Sequence, residues 1–250
     1  GEWRVRLRDL NRDHTGSVQV TAFFNSANIV DGDDAFAAES GRRRAATVDP
    51  GDLDVWTIDA TAGQFLGITV AENSVGAAAD FGVLVIGPDG KVVTGKEDEE
   101  GVNIDIPNAV TGRYHAIVYE GGADNTNARY GISFAQVPGT QYAGDPDTVN
   151  PLQSGVVRNG DAPGGDMDIW GVNAGQGNSI NVSITRGTGS LDPELLLISP
   201  TGQIVASNNG STSASLTYNV PTGAGGQYWI IARDREADDG GQYSLTYTLG

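Results

Sequence analysis

The chain has 250 residues, 36 of them glycine, with 19% charged residues and no cysteine, which excludes disulfides, thiol chemistry and cysteine-ligated zinc. Acids outnumber bases 32 to 15, a net charge of −17; such a surface repels polyanions, so nucleic acid and anionic lipid are poor partners. No apolar run approaches the ~20 residues of a membrane span, so membrane insertion is not expected.

Long helical periodicity is missing. Short apolar–polar alternations recur instead, separated by Gly, Asn, Asp and Pro clusters, the pattern of an all-β protein. Only Lys91 and Lys96 are lysines. An acidic, lysine-poor surface fits a secreted protein or a salty habitat, and equally fits simple solubility. No signal-peptide pattern opens the chain and it does not begin with Met, so it reads as a processed or excised piece.

In chain order, residues 1–29 come first. Trp3, Val5 and Leu7 alternate with Glu2, Arg4, Arg6 and Arg8, one apolar face and one charged face of a half-buried strand. A return strand over 18–24 carries Val18, Val20, Ala22 and Phe24 inward. Isolated hairpins are marginal in water. The row Trp3, Val5 and Leu7 is therefore expected to be covered by upstream modules or by a neighbouring copy of the same chain. The segment reads as the terminal hairpin of a preceding module plus a linker.

Residues 30–137 form the first full module. Its landmarks are Asp52-Leu53-Asp54-Val55-Trp56, the run from Asp80 to the Pro88-Asp89-Gly90 turn, and the strand Gly112-Arg113-Tyr114-His115-Ala116-Ile117-Val118. A Pro- and Gly-bearing linker is expected over 138–142. Residues 143–250 form the second full module. All three landmarks return in order: Asp166-Met167-Asp168-Ile169-Trp170, the run from Asp192 to Pro200-Thr201-Gly202, and Gly226-Gln227-Tyr228-Trp229-Ile230-Ile231-Ala232. They lie 114, 112 and 114 residues after the first copies, so the modules are repeats of one unit. The third landmark also aligns on residues 1–9. About eight short strands per module imply tandem antiparallel β-sandwich modules, jelly-roll-like.

These landmarks resemble those of the bacterial pre-peptidase C-terminal domain family: an Asp-x-Asp-x-aromatic strand, an Asp-rich strand ending in a Pro-x-Gly turn, and a Gly-x-Tyr-x-hydrophobic strand. Trp56 and Trp170 depart from the smaller aromatic usual after Asp-x-Asp. The opening segment also resembles the end of a proprotein-convertase P domain, a neighbouring jelly-roll family. Either resemblance implies a non-catalytic module of a secreted or cell-surface protein that stabilises, aids secretion, or binds matrix polymer or polysaccharide. A structural role in an extracellular filament or array, with modules or strands exchanged between chains, is the alternative.

Chemistry is sparse. His14 lies in an acidic hairpin loop and His115 at an outward strand position. Neither has a local nucleophile and orienting acid, so both read as surface histidines and no enzyme is expected. Asn181-Val182-Ser183 and Asn209-Gly210-Ser211 are glycosylation acceptors only in a suitable host. The aspartate clusters say more. Asp31, Asp33 and Asp34 precede Asp52 and Asp54; Asp145 and Asp147 precede Asp166 and Asp168. Calcium needs about 6–8 oxygen ligands, several of them carboxylates, and a module's leading segment could supply them with its Asp-x-Asp strand. The collagen-binding domains of clostridial collagenases, which resemble this family, imply the same arrangement. Solvated turn acids are the alternative, and Asp9, Asp13, Asp234 and Asp238 form a weaker second candidate. Trp229, with Tyr119 and Tyr142, is the candidate for an exposed aromatic binding strip.

Overall fold

The computed structural model describes residues 38–49, 52–73, 80–98, 101–121, 128–148 and 151–250. The described residues form only strands and connections, without a helix. In the first module these are β1 (Arg44–Val48), β2 (Asp54–Ala60), β3 (Gln64–Glu72), β4 (Phe81–Ile86), β5 (Val92–Asp98), β6 (Gly101–Ala109), β7 (Gly112–Glu120) and β8 (Ala128–Val137). They build two four-stranded sheets, ordered β1-β8-β3-β6 and β2-β7-β4-β5. The second module repeats the order. Its strands are β9 (Val157–Ala162), β10 (Met167–Ala174), β11 (Ser179–Gly189), β12 (Pro193–Ile198), β13 (Ile204–Asn209), β14 (Ser213–Asn219), β15 (Gly226–Asp234) and β16 (Gly241–Leu249). Its sheets run β9-β16-β11-β14 and β10-β15-β12-β13. All strand pairs are antiparallel. This is the eight-strand jelly-roll order twice over.

Alternation in the sequence sets each core. Tyr114, Ala116 and Val118 of β7 point between the sheets with Trp56, Ile58, Leu66, Ile68 and Val83. Tyr228, Ile230 and Ala232 of β15 do the same with Trp170, Val172, Ile180 and Leu195. The Pro-x-Gly turns form where expected: Gly90 and Gly202 adopt φ of 76° and 71°, a left-handed conformation open to glycine at little cost.

The modules are joined by a third apolar cluster. Phe65, Ala135 and Val137, on the outward side of β3 and β8, pack with Met167, Ile169, Leu196, Ile198, Trp229 and Ile231 on the outward side of β10, β12 and β15. Polar contacts fix the register of this junction. Arg233 on β15 is 3% exposed. It grips Asp105 on β6 through two bonds, 2.9 and 2.7 Å, while its Nε donates to Glu194 on β12 at 2.7 Å. Asn103 donates to the carbonyls of Asp234 and Arg235 at 2.9 and 3.0 Å, and the Asn108 N–H donates to Gly202 at 3.1 Å. An apolar junction with a buried ion pair opposes the relative module motion that polar interfaces permit.

Candidate cation site at the head of the second module

The two aspartates of the Asp-x-Asp strand have different tasks. Asp168 lies on the same side of β10 as Trp170, so it points toward the sandwich interior and is fully buried. The Tyr243 hydroxyl, reaching from β16, donates to its Oδ2. Module 1 repeats the arrangement: the Tyr130 hydroxyl donates to Asp54 Oδ2 at 2.5 Å and accepts from Trp56 Nε1 at 2.9 Å. The first aspartate of each pair caps the strand's start. Asp52 Oδ1 accepts from the Leu53 N–H and Asp166 Oδ1 from the Met167 N–H, at 2.8 and 2.9 Å. Ser133 of module 1 also donates to Asp166, at 3.2 Å.

The segment leading into module 2 brings two more acids to this point. Asp145 Oδ1 accepts from the Asp147 N–H at 2.9 Å, a turn that aspartate makes with its own backbone. Asp147 Oδ2 accepts from the Asp161 N–H at 2.7 Å, which ties the segment to β9. Carboxylate oxygens of Asp145, Asp147 and Asp168 come within 4.8 Å of one another. Asp168 Oδ1 is sealed from solvent and has no hydrogen-bond partner among the described residues. An open cleft of about 440 Å³ adjoins the cluster, walled by Gly41, Arg42 and Arg43 of module 1 and by Tyr142, Asp145 and Asp166.

Electrostatics follow from this crowding. Burial, and then the charge of Asp145, raise the Asp166 carboxyl from 3.8 to about 6. Burial, then Asp166, push Asp168 well above the carboxylate range, with the Tyr243 hydrogen bond opposing. Arg43, whose Nε donates to the Gly164 carbonyl at 2.8 Å, offers Asp166 a partial counter-charge from across the junction.

Of the residues singled out in the sequence, Asp145, Asp147 and Asp168 are thus brought together, with Asp166 beside them. Asp52 and Asp54 stand at the equivalent place in module 1. Trp3, Val5, Leu7, Asp31, Asp33, Asp34 and His14 lie outside the described residues. Two expectations are corrected. Trp229 is only 6% exposed and belongs to the module junction, so no exposed aromatic strip includes it. The other two members of that strip are also engaged: Tyr119 lies over Gly82, and Tyr142 stacks under Arg42 at 4.6 Å. His115 is buried rather than on the surface. In both cases the phase of alternation was right, but turning away from a module's own core does not mean facing water. The uninterrupted apolar run Tyr228 to Ala232 is the signal that β15 is covered on both faces.

No family model matches the chain, and no curated protein matches it. Among solved structures it is similar to the tandem CBM22 domain of Paenibacillus barcinonensis Xyn10C, at 10% identity over 83% of this chain and 85% of that one, TM-score 0.25. It is also similar to a presumed secreted protein from Eubacterium rectale, at 10% identity over 82% and 73%, TM-score 0.26. A presumed secreted protein from Parabacteroides distasonis follows at 10% identity over 82% and 80%, TM-score 0.21. At these scores the likenesses are too weak to bear on function.

Proposed function

We propose that the chain is a non-catalytic, calcium-stabilised pair of β-sandwich modules, serving an extracellular protein as a rigid binding or accessory element. The observation that carries this reading is Asp168 Oδ1: a buried carboxylate oxygen with no donor, beside the carboxylates of Asp145 and Asp147. An anionic oxygen withheld from both water and donors is costly, and a hard divalent cation with oxygen ligands removes that cost. Asp145, Asp147 and Asp168 would hold the ion, and Asp166 would add negative charge behind them. Extracellular calcium modules work at about 10⁻⁴–10⁻³ M calcium, which suits a site with one side open to a cleft. Asp31, Asp33 and Asp54 repeat the three positions at an offset of 114, and we extend the proposal to a second site of the same design in module 1, two of whose acids lie outside the described residues. The non-catalytic reading is supported by His115, one of two histidines, which is buried on a sheet face away from the acid cleft.

Calcium binding to the folded state alone raises thermal stability by mass action. The melting temperature in chelator should therefore rise on adding millimolar calcium, and sodium at matched ionic strength should not reproduce the rise. An unchanged melting temperature would overturn the cation reading.

One surface favours a matrix polymer or polysaccharide as the bound partner. The outward face of β16, β11 and β14 carries Ser183, Thr185, Ser215, Thr217, Thr246 and Thr248. These are uncharged donors and acceptors on a chain of net charge −17. Such a face suits a neutral, hydroxyl-rich chain. Retention on insoluble polysaccharide that is lost in a Thr246→Glu variant would support it; equal retention of both proteins would remove it.

A further inference from the structure

The junction between the modules has a counterpart inside module 1. The face that receives module 1 is built from Met167, Ile169, Leu196, Ile198, Trp229 and Ile231. The repeat places Leu53, Val55, Leu84, Ile86, His115 and Ile117 at those positions. Strand register agrees pair by pair. Val55 opposes Ile117 as Ile169 opposes Ile231, Leu84 opposes Ile117 as Leu196 opposes Ile231, and Ile86 opposes His115 as Ile198 opposes Trp229. Val55, Ile86 and Ile117 form an apolar cluster of their own, with Leu53 and Leu84 packed against it. The cluster lies on the outward face of β2, β4 and β7, apart from the core of either sandwich.

Part of the docking side of the observed junction also recurs. It includes the outward row of β8, where Ser133 and Ala135 lie. Aligned by the repeat, Thr21 and Phe23 of the opening segment fall on Ser133 and Ala135. In module 2 the same positions are Thr246 and Thr248, on the polar face. The apolar residue thus recurs in the opening segment and not at the chain's other end. Size also compensates. The observed junction has Trp229 on the receiving face and Ala135 on the docking strand. At the corresponding positions the sequence has the smaller His115 and the larger Phe23.

We propose that the outward face of β2, β7 and β4 receives residues 18–24 of this same chain, with Phe23 against Val55, Ile86 and Ile117. The arrangement repeats the junction between the two modules. Each module's β8-type strand then sits on the next module's Asp-x-Asp sheet, and the stack runs in one direction along the chain. Tyr119 replaces Arg233 and lies over Gly82, so this junction lacks the arginine clamp and relies on apolar contact.

The absence of cysteine makes the test direct, in the full chain. Phe23→Cys and His115→Cys are introduced together and bridged with a short bis-maleimide at low protein concentration. The expected result is one intramolecular cross-link, located by peptide mapping. Cross-links only between chains would show that a second copy occupies the face, and two freely alkylated thiols would show that nothing does; either overturns the proposal. A single His115→Cys variant guards against a perturbed pair: its alkylation is expected to accelerate at least about tenfold when Phe23→Asp is added, as local opening exposes the thiol. No acceleration also counts against the docking.

Discussion

Burial and the charge of Asp166 raise the Asp168 carboxyl, while the Tyr243 hydroxyl holds one of its oxygens and the other has no donor. An Asp168→Asn variant removes the charge and keeps a side chain that can still accept from Tyr243. Without calcium it should melt at or above the temperature of the parent protein, and the share of the calcium-induced rise that comes from the module 2 site should be lost; thermal melts in chelator and in calcium check both. Asp168→Ala instead strands the buried Tyr243 hydroxyl, at a cost of about 1–3 kcal/mol. The pH dependence has a definite sign. Asp166, at about 6 rather than 3.8, binds its proton more tightly in the folded chain than in the unfolded one. Its contribution to stability in the cation-free protein is present below its ordinary value and is lost as pH rises through about 6. Calcium competes with that proton, so melts across about pH 4 to 8 should fall in chelator and flatten or rise in calcium. Parallel curves would mean that no cation binds beside this carboxylate.

Among the elements, β15 shows what alternation can and cannot tell. The inward row Tyr228, Ile230 and Ala232 follows from period two, and it lines the module core. The other row, Trp229 and Ile231, is equally apolar, but sequence phase cannot distinguish water from a neighbouring module. Its partners, Phe65, Ala135 and Val137, lie on strands nearly a hundred or more residues away. The acid cluster was more legible, because both of its parts lie within one short stretch, 145–168, and repeat in module 1. The Tyr243 hydrogen bond was not, since nothing local links β16 to β10. Arg233 was overlooked for the same reason: its ion pair with Asp105 spans 128 positions. Removing one member of a buried ion pair costs about 3–5 kcal/mol, because the remaining charges lose their partner. Arg233→Ala should lower stability by that amount in denaturant titrations. Replacing Arg233, Asp105 and Glu194 together by apolar residues of similar volume should cost much less. A near-zero effect of Arg233→Ala would mean that water screens the pair.

At the scale of the whole molecule, the shared junction decides whether two sandwiches behave as one body. Each has its own core, so each could unfold alone. The junction opposes this: losing either module would expose the apolar face of the other and break the Arg233–Asp105 pair. Burying a large apolar side chain is worth about 1.5–3 kcal/mol. Several such side chains at the junction outweigh the few kcal/mol by which the stabilities of two similar modules would differ. The intact protein should therefore unfold in a single transition, with the calorimetric enthalpy equal to the van't Hoff enthalpy. Trp229→Ala removes the largest side chain from the junction without touching either sandwich core. It should cost about 3–5 kcal/mol and split the transition in two. Calcium should then raise the melting of each module whose site it occupies, while fluorescence from Trp56 and Trp170 reports on the two modules. Two well-resolved transitions in the unmodified protein would show that the junction is too weak to couple the sandwiches.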